Sequence, residues 1–179
     1  MKGAAKNISA FIVGLAALGS ATLPAWADFD QTTLRVAARV LSFMEKPPAG
    51  TVTAGIVYAP DNPRSAADAA RLQSLLDAGL QAGNVTLQAK MVKIADAGSA
   101  NVGLFLLAEG AGNAAGRLAD VARRKDIPCI TTDLAQVRNG NCAIGVSATP
   151  RVDIIVNRAA ADASQVRFST AFRMLVSEF

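Results

Sequence analysis

The chain of 179 residues contains no histidine. Imidazole general-base catalysis, the Ser-His-Asp and Cys-His arrangements, and histidine ligation of a metal are therefore excluded. No Gly-x-Ser-x-Gly elbow occurs, so the nucleophile turn of the α/β-hydrolases is missing too. The carboxylates are scattered, with no close pair in the sequence for acid–base work. Aromatic residues make up 5% of the chain, and the one tryptophan is Trp26, near the N-terminus. Gly110-Ala-Gly-Asn-Ala-Ala-Gly116 spells G-x-G-x-x-x-G, one residue out of step with the dinucleotide fingerprint. No acid follows at the proper distance after a second strand, so a nucleotide cofactor is not expected there. No cofactor of any other kind is expected.

Among what is present, the N-terminus comes first. Lys2 and Lys6 form a positive region, residues 8–23 are apolar and small, and Ala25-Trp26-Ala27 is an A-x-A cleavage signal. These features read as a secretory signal peptide over residues 1–27. The alternative is a transmembrane anchor, but the run is short of the roughly 20 residues that span a bilayer, and a cleavage motif follows it. Later segments are not apolar enough for stable membrane insertion, and the expected location is the periplasm. Cleavage leaves 152 of 179 residues, 28–179, enough for one α/β domain with a core of its own.

Charge changes with cleavage. The full chain has 18 basic and 14 acidic residues, and the leader takes two lysines with it, so 16 against 14 remain, a net of +2. The basic balance is partly a targeting feature, and a nucleic-acid partner is not expected. Two cysteines remain, Cys129 and Cys142. In an oxidising compartment an even pair suggests a disulfide, and the alternative is two buried thiols. A loop of this length is worth on the order of 3 kcal/mol in the chain-entropy treatment.

In chain order, apolar residues at Leu34, Ala37, Ala38, Leu41 and Met44 predict a helix over 31–44, capped by Thr32 or Thr33 and stopped by Pro47-Pro48. Residues 51–58 predict a strand. Residues 65–82 predict a second helix, with Leu72, Leu75, Leu76 and Leu80 on one face and Gly83-Asn84 as its C-cap. Residues 85–94 alternate in polarity, as a half-exposed edge strand does. Residues 102–107 are continuously apolar, the pattern of a central parallel strand. A third helix over 114–125, a strand over 127–131, a short turn capped by Asp133, a hairpin over 142–156 and a final helix over 170–178 complete the reading. Strands alternating with helices predict a three-layer, doubly wound α/β fold. Its sheet is mostly parallel, in the flavodoxin-like order 2-1-3-4-5, with an antiparallel C-terminal hairpin edge and a single lobe.

In such a sheet ligands bind at the carboxyl ends of the strands. Three loops meet there, carrying Tyr58, Asp61 and Asn62; Glu109 and Asn113; and Thr132 and Asp133. The first and third loops lead into helix starts whose free N–H groups can take an anion. Ordinary caps and turns account for the same residue types without a ligand. The basic run Arg123-Arg124-Lys125 is explained by its place at a helix end.

The C-terminal blocks "IPCITTDLAQVRNGNCAIGV" and "RVDIIVNRAAADASQVRFSTAFRML" resemble the YfiR family of small periplasmic proteins. Arg151-Val-Asp-Ile-Ile-Val-Asn157 matches the family's hairpin strand, and Ala159-Ala160-Ala161 the helix after it. Phe168, Ser169, Phe172 and Leu175 match its closing helix, and residues 34–44 its first helix. The resemblance implies a non-enzymatic regulator that binds the periplasmic domain of an inner-membrane protein, the sensor domain of a diguanylate cyclase, and holds it inactive; a homodimer is a further expectation. A second resemblance, carried by "AGIVYAPDNPRSAADAARLQSLLDAG" and "RRKDIPCITTD", is to one lobe of an ABC-transporter substrate-binding protein, which implies a small-molecule binder.

Overall fold

The computed structural model describes residues 29–179, so the leader expected over 1–27 lies outside the described residues. Helix α1 spans Gln31–Leu41, strand β1 Gly50–Tyr58, α2 Pro63–Leu76, β2 Leu80–Ala82, β3 Val85–Lys93 and β4 Leu104–Leu107. There follow α3 Ala115–Lys125, β5 Cys129–Thr131, α4 Leu134–Arg138, β6 Ile144–Ser147, β7 Asp153–Val156, α5 Arg158–Ala163, α6 Thr170–Arg173 and β8 Ser177–Glu178. The strands form one sheet in the order β2-β3-β1-β4-β5-β6-β7-β8. From β3 to β6 every pairing is parallel, whereas β2 pairs β3 and β7 pairs β6 antiparallel. The doubly wound order read from the sequence is thus present as β3-β1-β4-β5-β6, with the hairpin β6–β7 after it.

Side-chain alternation divides the core into two layers. Val52, Ala54 and Ile56 of β1, with Leu104 and Leu106 of β4, face α1 and α2 through Leu34, Ala37, Leu41, Ala69, Leu72 and Leu76. Val57, Phe105 and Leu107 face the other way, onto Ala115, Leu118, Val121 and Ala122 of α3. β4 is buried at every position because both of its faces are covered. Each fully buried Leu or Phe here contributes about 1.5–3 kcal/mol of transfer free energy. A close approach on the α3 side is made by Gly145: a Cβ there would lie 2.9 Å from side-chain carbons of both Leu134 and Val137, so β6 meets α4 without room for a side chain.

Five expectations are corrected. The second helix stops at Leu76 and does not reach residue 82. Gly79, at φ +75°, donates its N–H to the Leu76 carbonyl, and the chain turns into β2, where Leu80 and Ala82 are buried. Gly83-Asn84 is accordingly a hairpin turn rather than a helix cap, and β3, shielded by β2, is not an edge strand. The cap of α1 is Asp30, not Thr32 or Thr33; its carboxylate accepts the Thr33 N–H at 2.6 Å. The last helix ends at Arg173 instead of continuing to 178. Backbone bonds from Phe179 to Val156 and from Arg158 to Phe179 draw the chain into β8, and Leu175 is left outside.

The Asp30 cap gives a pH-dependent prediction. The Thr33 N–H bond holds the Asp30 carboxyl below its ordinary value of 3.8. A carboxyl depressed in the folded state stabilises the fold above its unfolded titration, and that stabilisation is lost as pH falls through the folded one. Asp30→Ala is expected to cost about 1 kcal/mol at neutral pH. Urea melts of both proteins check this: the gap between them should narrow as pH falls below the ordinary carboxyl value of 3.8 and close once the wild-type cap is protonated too.

Candidate functional site

The carboxyl ends of β1, β4 and β5 open on a cleft floored by the loop after β4. α2 starts beside it because Asn62 caps the helix, accepting the Arg64 N–H at 3.0 Å, and Pro63 occupies the first turn, where its missing N–H costs nothing. Three bonds strap the β4 loop to this helix. Asn62 Nδ2 donates to the Gly110 carbonyl at 2.8 Å, the Glu109 N–H donates to Asp68 Oδ2 at 2.9 Å, and Arg64 pairs with Glu109 at 2.7 Å. Asp68 also holds Arg71 at 2.5 Å, and Arg71 donates to the Phe29 carbonyl. Gly110, at φ +73°, is required by the close approach: a Cβ there would sit 3.3 Å from the Ser65 amide nitrogen.

The Arg64–Glu109 pair stands between two parts of the cleft. One, about 160 Å³, runs toward Asp133 and Gln136, and the other, about 280 Å³, toward Asp68 and Arg71. Two guanidiniums meet two largely buried carboxylates, so the formal charges balance. An unpaired buried charge would cost several kcal/mol, and the pairing avoids that cost. As chemistry, this is a clamp that joins three segments of the fold, the residues before α1, α2 and the loop after β4.

The residues expected at this end are placed as follows. Asn62, Glu109 and Asp133 border the cleft or hold its walls. Asp133 caps α4, accepting the Ala135 N–H at 2.9 Å. Tyr58 ends β1, half-buried against the α1/α2 layer, and Asp61 is exposed in the turn. Asn113 lies in the 3-10 turn Gly112–Ala114. Thr132 is 5% exposed, and its hydroxyl has no hydrogen-bond partner among the described residues. Sequence reasoning missed Arg64, Asp68 and Arg71. Their spacing of four and three residues along α2 puts them on one helical face, a signal that was available. Among the described residues no group of three His, Cys, Asp or Glu could hold a metal ion.

The opposite end of the sheet carries a different surface. Phe43 stacks on Phe172 with ring centroids 4.7 Å apart, and Phe172 packs on Phe168 at 4.9 Å. Beside this stack Met174, Leu175 and Phe179 are 82%, 81% and 55% exposed, and Phe43 is 42% exposed. Met174 and Leu175 directly follow the helix that carries Phe172, and Phe179 follows β8; large exposed apolar side chains of this kind are the ones that contacts between molecules cover. Glu178 accepts from Arg173 at 2.9 Å and from Arg158 at 3.4 Å, which fixes β8 beside these residues. The Arg173 hydrogen bond holds the Glu178 carboxyl below its ordinary range, and Glu178 in turn raises Arg173.

Cys129 and Cys142 form a disulfide with Cα atoms 4.9 Å apart, between the start of β5 and the approach to β6. No helix among the described residues is long and apolar enough to cross a membrane.

The architecture is a three-layer α/β protein of the flavodoxin-like kind, with both edges of its sheet extended by short strands. No family model matches the chain, and no curated protein matches it. Among solved structures it is similar to a conserved domain protein from Vibrio cholerae O1 biovar El Tor strain N16961, at 14% identity and a TM-score of 0.56. The similarity covers 83% of this chain and 59% of that one, so the chain spans under two thirds of its neighbour's length; the likeness concerns the fold.

Proposed function

We propose that the chain is a non-enzymatic periplasmic regulator. In this reading it binds the periplasmic sensor domain of an inner-membrane signalling protein of the diguanylate cyclase type and restrains it. The observation that carries the reading is the exposed group Phe43, Met174, Leu175 and Phe179 beside β8. Large apolar side chains at such exposure suit a protein partner, with the Phe172 stack as a rigid base under them. The leader-like N-terminus and the disulfide suit an oxidising, exported setting. The resemblance of residues 151–175 to the YfiR family supplies the partner class. A small-molecule receptor of one lobe ranks second, because the charges that line the carboxyl-end cleft already pair with one another.

Copurification of the exported, tagged protein from solubilised membranes tests this. An inner-membrane signalling protein should be retained, and Leu175→Asp should reduce its recovery at least tenfold, the effect of losing more than about 1.4 kcal/mol at a contact. Capture of no membrane protein, together with unchanged cyclic-di-GMP-dependent behaviour on deletion, would sink the proposal. Thermal shifts with amino acids, aromatic acids and nucleotides address the second reading.

A further inference from the structure

We infer that the amino end of the sheet is a membrane-facing surface, which rests on the anionic headgroups of a phospholipid bilayer without inserting a helix. The inference does not need the proposed partner; where both hold, the bilayer gathers the protein on the surface in which that partner is embedded. Charge is divided unevenly along the strand axis. Helices α1 to α4 all end at the amino end, and because β7 runs against β6 the chain after β7 lies there too. The segments that border this end are 39–49, 77–79, 123–128, 138–143 and 157–179. They carry nine basic and five acidic residues, which leaves seven basic and nine acidic for the rest of residues 28–179. One end therefore has a net charge of +4 and the remainder −2, and such a division orients a protein toward an anionic surface.

Helix dipoles account for part of the excess, since Arg39, Arg123, Arg124, Lys125, Arg138 and Arg173 stand in last turns. They do not account for Lys46 and Arg167, which lie between elements, or for Arg158, which opens α5, where the dipole disfavours a cation. Lys46, Arg124 and Arg167 are exposed and make no ion pair among the described residues. Of the five large apolar side chains exposed among the described residues, four belong to these same segments: Phe43, Met174, Leu175 and Phe179. Exposed apolar side chains interspersed with Lys and Arg are the composition of a surface that lies at a bilayer interface. Two features favour lipid over an acidic protein face. The cations come from separate segments and spread over an end of the fold, and mobile headgroups meet such a spread, whereas a rigid partner needs a carboxylate fixed opposite each. Met174 and Leu175 are also more than four-fifths exposed, and a bilayer takes in such side chains without needing a shaped pocket.

Cosedimentation of the mature protein with vesicles of phosphatidylglycerol and phosphatidylcholine in equal parts tests this. Binding should exceed that to phosphatidylcholine alone by about tenfold or more, and it should fall as salt is raised, as a screened attraction does. Lys46→Gln/Arg124→Gln/Arg167→Gln should weaken binding by about tenfold or more, since each basic residue near an anionic surface is worth about fivefold. Lys93→Gln/Arg117→Gln/Arg151→Gln removes the same charge from exposed residues toward the carboxyl ends of the strands, and binding should stay within about twofold of wild type. Equal binding to both vesicles overturns the inference. So does an equal loss in the two variants, which would make net charge, and not this end, responsible. If vesicles are ignored while the first variant loses a captured membrane protein, an acidic protein face is the occupant, and the inference falls while the proposed function stands. Selective vesicle binding with no membrane protein captured does the reverse.

Discussion

Replacing Cys129 and Cys142 together by alanine is expected to lower stability by about 3 kcal/mol, from the loop that a bond across 13 positions closes. For a domain of this size that corresponds to a fall in melting temperature of roughly 6–12 °C. The bond joins two neighbouring strands where each enters the layer under α3, and both cysteines are almost wholly buried. Its loss frees the unfolded chain and loosens the approach to β6, whose register rests on two pairs with β5, Ile130–Ile144 and Thr131–Gly145. Calorimetry of the oxidised, reduced and Ala/Ala proteins checks the value. A shift under about 2 °C, less than 1 kcal/mol, would show that the sheet holds itself there without the bond.

Asp68→Ala is expected to cost about 3–5 kcal/mol, the larger effect of the two. Asp68 is 8% exposed; one oxygen takes the Glu109 N–H and the other takes Arg71, which in turn grips the Phe29 carbonyl. Removing it leaves a buried donor unsatisfied and takes one carboxylate away from a half-buried guanidinium. Three segments lose their common tie: the residues before α1, α2, and the loop after β4. Asp68→Asn keeps an acceptor for the Glu109 N–H, so it should recover part of the loss. Chemical denaturation of both variants checks the order, and equal midpoints for Asp68→Ala and wild type would refute the clamp.

Much of the fold can be read in the sequence because it is written locally. Leu104–Leu107 is apolar at every position, and a strand covered on both faces needs that. Asn157 opens α5 because its side chain can take the Ala160 N–H, and the same residue also reaches the Val137 carbonyl, which no local rule foretells. Sequence and structure part where two periods coincide. Leu72, Leu76 and Leu80 continue a helical spacing, yet Leu80 is held by pairing with Leu87 after a turn at Gly79. Phe172, Leu175 and Val176 also fit a helix, but so short a helix is marginal alone, and ladder bonds to Val156 and Arg158 prevail. Topology alone places the carboxyl-end loops together. Their use as a clamp depends on Glu109 meeting Asp68 and Arg64 across 41 and 45 positions of chain, a distance over which no pattern in the sequence speaks.

The short strand β2 has a consequence beyond shielding β3. Open-ended polymers grow when two different borders of one molecule fit each other, whereas a border that fits only itself closes after two subunits. β2 leaves the far border three residues long, with Leu80 and Ala82 turned inward and Gln81 outward. It presents little for a strand of another molecule to extend, which guards the sheet against growth at this border. Lengthening β2, or replacing Gln81 with a β-branched apolar residue, would remove that safeguard first.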